Sequence, residues 1–260
     1  MQTPAQTHSF APGSVRFVGA GPGNPDLLTL GALRALQTAE VILHDRLIST
    51  EILALAGPAA RLIETGKTGF GQAMKQEEIN ALIVDQALTG ARVVRLKSGD
   101  PTVFGRLDEE IEACEAAQLA WSIVPGITAA SAAVAAIGQS LTRRGRNSAV
   151  RLITGHDVEG YADHDWAVLA RPGEVAAIYM GLRAARFLQG RLIMHGADRA
   201  TPVTLIANAS RPDQQVLATT LDQLTDDLAR AELSGPVLTL FGLAPRAAEA
   251  ALAELTKERA

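Results

Sequence analysis

The chain has 260 residues, 47% of them hydrophobic and 20% charged, with 24 lysines and arginines against 28 aspartates and glutamates. This much apolar material supports one or two folded domains and excludes a disordered acidic protein. The net charge of −4, with no long basic run, argues against nucleic-acid binding, and a single cysteine excludes an internal disulfide framework.

The N-terminal segment contains neither a basic stretch nor an apolar run, so we expect no export signal and interpret residues 1–14 as a flexible tail. No stretch of the chain reaches the roughly 18–20 uninterrupted apolar residues that a membrane-spanning helix needs. We therefore expect a cytoplasmic protein without a membrane partner.

Apolar runs of strand length alternate with helical patterns in the first half of the chain. The expected strands, short and mostly buried, are residues 15–19, 41–44, 61–63, 92–96 and 121–124. The expected helices are residues 29–38, 52–56, 76–89, 104–117 and 129–137. This alternation indicates βαβ units and predicts an α/β domain with a parallel sheet over residues 15–138.

The pattern breaks at GQSLTRRGRN, a polar segment without periodicity, and we place the interdomain segment at residues 139–147. Beyond it, the expected strands are residues 150–154, 175–180, 203–208, 215–219 and 236–241, with helices at 183–194, 221–231 and 246–257. A short turn separates the third and fourth of these strands, which predicts an antiparallel hairpin. Residues 148–260 are thus expected to form a second α/β domain with a mixed sheet.

Three glycine-bearing loops follow predicted strands of the first domain: VGAGPGNPD, LKSGDPTVFG and VPGITAA. Open α/β sheets bind small molecules at the carboxyl ends of their strands, so the three loops together predict a site. The first loop departs from the dinucleotide fingerprint, because Asn24 replaces the third glycine and two prolines impede a helix there. A nucleotide-dependent oxidoreductase is nevertheless an alternative function. Asp100, before a proline, also fits a helix N-cap.

The histidines and aspartates of GHDVEGYADHD lack the spacing of a helical two-histidine metal motif. We interpret this segment as a polar loop and expect no metal.

Several segments in this order resemble the tetrapyrrole methylase family: VGAGPGNPDLLTL, ILHDRLIS, LKSGDPTVFG, VPGITAASAA, YMGL and TPVTLIANAS. The resemblance covers about residues 15–243. It implies two α/β domains with the active-site cleft between them, a homodimer, and S-adenosylmethionine as co-substrate. Within the family, the chain most resembles the members that methylate carbons 2 and 7 of uroporphyrinogen III, giving precorrin-2 and S-adenosylhomocysteine. A methylase of a later corrin precursor, or of another substrate of the family, is the alternative.

The resemblance also implies roles for individual residues. It makes Asp45, in HDRL, the proton acceptor and Lys67, in ETGKTG, the proton donor. We expect the neighbouring Arg46 to bind a substrate carboxylate. Without the resemblance, Asp45 would be expected to pair with Arg46 or another surface charge. The implied contacts to the co-substrate, mostly through backbone or apolar groups, are Pro22, Ser98, Gly99, Asp100, Val103, Thr128, Ala129, Met180 and Ala209.

The sequence departs from the family pattern at four places. Ser98–Gly99 replaces the two glycines that usually precede the aspartate, and FGRLDEE replaces FGRGGEE. SLTRR replaces PLTHR, and Ala207–Ala209 replaces Glu-Asn-Gly. The last change leaves a backbone contact possible at Ala209.

The densest basic patch contains Arg143, Arg144, Arg146 and Arg151. A cluster of arginines suits a polycarboxylate such as uroporphyrinogen, so Arg143 and Arg144 are candidate substrate-binding residues. A solvated hinge is the alternative interpretation. Some family members are fused to a module that oxidises precorrin-2 and inserts iron, and the short N-terminal tail predicts that this module is absent here.

Overall fold

The computed structural model describes residues 10–66, 74–157 and 160–248. The chain divides into two compact units, Met1–Thr128 and Ala129–Ala260. Both units combine helices with a five-stranded sheet, which confirms the predicted α/β class. Within the described residues, no helix is long and apolar enough to cross a membrane.

The first unit contains a fully parallel sheet with strand order β3-β2-β4-β1-β5. Its strands are β1 (Ser14–Gly19), β2 (Val41–His44), β3 (Arg61–Glu64), β4 (Val93–Lys97) and β5 (Ala120–Val124). Its helices are α1 (Leu30–Thr38), α2 (Thr50–Leu53), α3 (Gln76–Leu88) and α4 (Leu107–Ala116), with a 3-10 helix at Pro25–Leu27. The five parallel strands predicted from the apolar runs are confirmed.

Alternate strand residues project to opposite faces of this sheet and build two separate cores. Val18 and Ile42 pack with helices α1 and α2 on one face, whereas Phe17 and Leu43 pack with α3 and α4 on the other. Strands β1 and β4 are neighbours, yet the helices that follow them lie on opposite faces. The carboxyl ends of β1 and β4 therefore flank a topological switch point, the place where open α/β sheets bind ligands.

The second unit contains a mixed sheet with strand order β6-β7-β10-β8-β9, in which only β6 and β7 are parallel. Its strands are β6 (Arg151–Thr154), β7 (Ala176–Tyr179), β8 (Pro202–Ala207), β9 (Gln215–Thr220) and β10 (Val237–Phe241). Its helices are α5 (Ala129–Ala136), α6 (Trp166–Leu169), α7 (Ala185–Met194) and α8 (Leu224–Arg230). Strands β8 and β9 pair antiparallel, which confirms the predicted hairpin.

The structure differs from the expected domain limits at two places. Along the chain, the first unit ends at Thr128 and the second begins at Ala129, before the predicted interdomain segment at 139–147. The boundary lies there because the alanines of α5 pack against the second sheet. The predicted tail also extends too far, since Phe10 packs against the α1 and α2 core and β1 begins at Ser14. Most of the helix expected at 246–257 lies outside the described residues.

The short helix α6 was missed by the sequence patterns. Its first turn is capped by Asp165, whose side chain accepts a hydrogen bond from the Val168 amide, and its buried Trp166 anchors it to the core. Four residues are too few for a helical apolar repeat to be recognised.

Candidate active site

The strand register of the first sheet aligns the ends of its strands. Gly19 of β1 pairs with Lys97 of β4, and His44 of β2 pairs with Leu96 of β4. The segments that follow these strands therefore emerge at one edge. This edge, which we call the carboxyl edge, contains Asp45, the loop at Ser98 and the loop at Gly126.

Four glycines bring the loop backbones into direct contact at the carboxyl edge. Gly99 donates a hydrogen bond to the Gly21 carbonyl (2.8 Å) and accepts one from the Gly21 amide (3.1 Å). A Cβ added to Gly19 would lie 2.5 Å from the Gly126 amide nitrogen, and one added to Gly126 would lie 2.8 Å from the Gly19 Cα. The glycines in these motifs thus allow the loops to converge, as well as leaving little side-chain bulk at the edge.

Asp100 fastens two of these loops together. Its Oδ2 accepts a hydrogen bond from the Gly126 amide (3.1 Å), and its Oδ1 accepts two from Thr102, at 2.8 Å from the amide and 2.6 Å from the hydroxyl. Val103 then donates to the Asp100 carbonyl (3.1 Å), closing a turn. The expected helix N-cap at Asp100 is therefore wrong: the residue forms a side-chain turn, and α4 begins only at Leu107.

Asp45 lies directly after β2 and forms an ion pair that the sequence did not indicate. Its Oδ1 is 2.5 Å from the Arg95 Nη2, so its partner is Arg95 rather than Arg46. Arg95 also contacts Glu110 (Nε to Oε1, 2.9 Å), and Glu110 contacts Lys97 (Oε2 to Nζ, 2.8 Å). We call these four side chains the charge network.

Most of the charge network is buried: Arg95, Lys97 and Glu110 are 2%, 4% and 0% exposed. Burial opposes ionisation of Arg95, but the carboxylates of Asp45 and Glu110 prevail and raise its pKa. Burial, together with the Arg95 charge, lowers the pKa of Lys97. Buried charges are tolerated where each has an opposite partner, and the network supplies two of each sign. Charged residues at alternate positions of the buried strand β4 were the available sequence signal.

The single cysteine is not a nucleophile of this site. Cys114 is buried on α4, and burial, reinforced by the charge of Glu110, raises the pKa of its thiol to about 12. The thiolate is the reactive form, so this cysteine is inert near neutral pH.

The remaining predicted residues of the first unit have different settings. Pro22 is buried in the first loop, and Ser98 is half-buried, its hydroxyl making no hydrogen bond to any other described residue. Arg46 is exposed in the turn after β2. Lys67 lies outside the described residues, directly after Gly66.

The first loop does not lead straight into a helix. Asn24 caps the 3-10 helix, accepting a hydrogen bond from the Asp26 amide, and α1 begins only at Leu30 behind its own cap, Thr29. In a dinucleotide-binding loop the pyrophosphate instead rests on the helix that the glycines open. This geometry argues against the alternative function, a nucleotide-dependent oxidoreductase.

Two predicted residues of the second unit, Ala129 and Ala209, belong to or pack against one apolar cluster, and a third, Met180, follows a residue that packs there. Ala129 begins α5, and Ala209 follows β8 among the buried residues of that cluster. Met180 follows β7, is 51% exposed and has a φ of 53°. The Tyr179 hydroxyl accepts a hydrogen bond from the Ala130 amide (3.2 Å), which ties the end of β7 to α5. A left-handed conformation is uncommon for methionine, because its side chain is strained there.

The basic patch is divided between structural and free side chains. Arg146 donates to the Ser140 carbonyl (2.6 Å), and Arg151 pairs with Glu174 (3.3 Å). Arg143 and Arg144 are exposed, and their side chains have no partner among the described residues. These two therefore remain available to a ligand.

The histidines and aspartates of the polar loop have local structural partners. The His164 Nε2 lies 2.8 Å from the Thr154 carbonyl, and Asp163 accepts a hydrogen bond from the Trp166 indole (2.6 Å). In the part of the chain that the structure describes, no three histidine, cysteine, aspartate or glutamate side chains are grouped to hold a metal ion.

Comparison with known proteins identifies relatives over most of the chain. The family model described as Tetrapyrrole (Corrin/Porphyrin) Methylases matches residues 14–225. The uroporphyrinogen-III C-methyltransferase of Paracoccus denitrificans is 46% identical over 231 residues, which are 88% of this chain and 80% of that protein. The siroheme synthase of Methylococcus capsulatus is 47% identical over 88% of this chain but only 49% of that protein. The chain spans about half the length of the siroheme synthases that it matches.

Solved structures of methyltransferases are similar to this chain over most of its length. The uroporphyrin-III C-methyl transferase of Thermus thermophilus, complexed with S-adenyl homocysteine, has a TM-score of 0.76 and 34% identity, covering 88% of this chain and 97% of that one. A cobalt precorrin-4 methyltransferase has a TM-score of 0.79 and 27% identity, with 93% and 98% covered.

Proposed function

The chain belongs to the tetrapyrrole (corrin/porphyrin) methylases, and we propose that it transfers methyl groups from S-adenosylmethionine to carbons 2 and 7 of uroporphyrinogen III, giving precorrin-2 and S-adenosylhomocysteine. The observation that carries the choice of substrate is the Paracoccus relative, because the match includes 80% of its length at 46% identity. The siroheme synthase relatives agree with this choice. The carboxyl edge of the first unit also supports the proposal, because Asp45 and the loops at Ser98 and Gly126 lie there together.

The co-substrate is proposed to contact Pro22, Ser98, Gly99, Asp100, Val103, Thr128, Ala129, Met180 and Ala209. The residues present fit such a ligand, since the Ser98 hydroxyl is uncommitted among the described residues and the adjoining glycines leave the edge open to a close backbone approach. Met180 offers an exposed thioether and apolar surface.

When bound, S-adenosylmethionine supplies a methyl group that is already activated by the sulfonium, so the chain mainly has to align the acceptor and exclude water. Attack by an electron-rich pyrrole carbon leaves a positive charge on the ring, and a ring proton is lost later. Asp45 is proposed to stabilise that charge and accept the proton. Lys67 is the proposed proton donor, and Arg46 is proposed to bind a substrate carboxylate.

The direct test is to incubate the protein anaerobically with uroporphyrinogen III and S-adenosylmethionine and to measure the product by absorbance and mass. A gain of two methyl groups, with formation of S-adenosylhomocysteine, is the expected result. A cobalt precorrin-4 methyltransferase shares the fold, so a corrin precursor should be assayed in parallel. Methylation of that precursor, with none of uroporphyrinogen III, would select the alternative substrate class.

Asp100→Asn is expected to loosen the carboxyl edge. The amide group cannot accept hydrogen bonds at both ends, so either Thr102 or the Gly126 amide loses its partner. We expect a loss of about 1–2 kcal/mol in the free energy of unfolding. Affinity for S-adenosylhomocysteine, measured by calorimetry, should fall about tenfold, since about 1.4 kcal/mol corresponds to that factor.

The control for Asp100 is Thr102→Val, which removes only the hydroxyl hydrogen bond and leaves the tie to Gly126. Its effects should be the smaller on both measurements. Equal effects of the two variants would contradict a tie between the loops through Asp100.

Replacing Arg143 and Arg144 together by glutamine is expected to raise the KM for uroporphyrinogen III and to weaken its dependence on salt. The two side chains are exposed and lack partners among the described residues, so their removal should cost little stability. Affinity for S-adenosylhomocysteine should stay unchanged. An unaltered KM, or a parent enzyme whose KM does not respond to salt, would support the solvated-hinge interpretation.

We also propose that the protein acts in the cytoplasm as a homodimer, without a metal. Light scattering in solution should then give twice the mass of one chain, and activity should survive treatment with a chelator.

A further inference from the structure

Arg95 connects the carboxyl edge of the first unit to a buried carboxylate. It lies on β4, paired in register with Leu43 of β2, and only 2% of it is exposed. Two of its nitrogens bind carboxylates: Nη2 lies 2.5 Å from the Asp45 Oδ1, and Nε lies 2.9 Å from the Glu110 Oε1. Its Nη1 is also 3.4 Å from the Leu43 carbonyl, so the guanidinium is held from several sides.

Asp45 is fixed on one side and open on the other. About a third of its side chain is exposed. Arg95 contacts its Oδ1, and its Oδ2 makes no hydrogen bond to any described residue. The carboxylate is therefore oriented by a buried, rigid cation while one oxygen remains free to act. From this arrangement we propose that Arg95 is a positioning residue for Asp45 in the methyl transfer, an inference that rests on the proposed function.

Glu110 holds Arg95 in place through its Oε1, whereas Lys97 contacts the other oxygen of that carboxylate. Glu110 is fully buried on α4 and receives the Lys97 ammonium (2.8 Å) and the Gln76 amide (3.3 Å) in addition to Arg95. The second contact of Arg95, directed to the carboxyl edge, uses the fork of the guanidinium, which a lysine ammonium cannot reproduce.

Arg95→Lys is the variant that separates these roles. It keeps a positive charge beside Glu110, but a single ammonium cannot reach both carboxylates. We expect kcat to fall about 10-fold to 100-fold, the scale expected for a misplaced catalytic group. The KM for uroporphyrinogen III and the affinity for S-adenosylhomocysteine should change by less than about twofold, because neither ligand is proposed to touch Arg95.

Kinetic coupling to Asp45 tests the mechanism of the effect. If Arg95 acts through the Asp45 carboxylate, then Arg95→Lys should cause no further loss of kcat once Asp45→Asn is present. If Arg95 acts on the fold alone, the two losses should multiply. Urea unfolding should be measured in parallel for the parent, both single variants and the double variant. The four midpoints show whether the ion pair of Arg95 with Asp45 contributes to stability.

Lys97→Met provides the matched control, since it removes a charge from Glu110 without touching Asp45. It should lower the urea midpoint and leave kcat within about twofold of the parent. If Arg95→Lys does not fold, a triple variant that carries Arg95→Gln, Glu110→Gln and Lys97→Met replaces it. The triple variant is compared with the double variant Glu110→Gln, Lys97→Met, which keeps the ion pair of Arg95 with Asp45.

The outcomes separate this inference from the proposed function. A parent protein that makes no methylated product refutes the proposed function, and the inference falls with it. If the parent methylates uroporphyrinogen III but Arg95→Lys keeps a parent-like kcat, the positioning role alone is overturned. Multiplicative losses of kcat in the double variant would overturn it as well. A loss of kcat that disappears in the Asp45→Asn background supports it.

Discussion

Asp45→Asn is expected to lower the turnover of uroporphyrinogen III about 100-fold or more, the usual contribution of a positioned acid or base. The amide preserves the size of the side chain but removes the negative charge and the proton-accepting oxygen. Affinity for S-adenosylhomocysteine should stay within about twofold, because the loops at Ser98 and Gly126 remain intact. Steady-state kinetics and calorimetry measure the two effects.

The control for Asp45 is Asp85→Asn, an exposed carboxylate on α3 that should leave turnover unchanged. Unchanged turnover in Asp45→Asn would remove Asp45 from the mechanism. A parallel collapse of turnover and S-adenosylhomocysteine affinity would instead mean that the substitution disrupts the edge as a whole.

Gly126→Ala is expected to destabilise the first unit by about 3 kcal/mol, the upper end of the range for overpacking. The added Cβ would lie 2.8 Å from the Gly19 Cα and would also overlap the Gly99 carbonyl. All of these neighbours are backbone atoms, so no side-chain rotation can relieve the clash. Because the three loops must then separate, S-adenosylhomocysteine affinity should fall at least about tenfold, as measured by calorimetry below the melting temperature.

Gly190→Ala is the matched control for Gly126. It makes the same change inside helix α7, where an added Cβ meets no atom within 4 Å. Alanine is the better helix former, so unfolding should cost the same or up to about 1 kcal/mol more. If Gly126→Ala melted like Gly190→Ala, the close approach of the loops would be refuted.

The strands were the most predictable elements, because each is a short apolar run bounded by glycine, proline or polar residues. The run at 41–44 matches β2 at both ends, the run for β1 begins one residue late, and the run for β4 is shifted by one residue at both ends. Helix starts were harder to predict. Helix α4 begins at Leu107 rather than at 104, since Asp100 uses its side chain in a turn and a tie to Gly126.

The loops of the candidate site were recognisable for the same local reason, since glycine clusters mark them in the sequence. The assignment of α5 to the second unit was not, because its alanines suit any close-packed neighbour and only the tertiary fold shows them against the second sheet. The roles of the individual site residues stay predictions, and Lys67 lies outside the described residues.

The sequence by itself determined the alternation of strands and helices, the parallel first sheet, the hairpin of the second, and the motifs that indicate the family, since all of these are written in local periodicity and spacing. Only the tertiary structure decided which charges meet. Asp45 lies next to Arg46 along the chain, yet its partner is Arg95, 50 residues away, and that residue's other partner is Glu110. The register of β2 against β4 and the packing of α4 bring these groups together, and no local pattern records such long-range contacts.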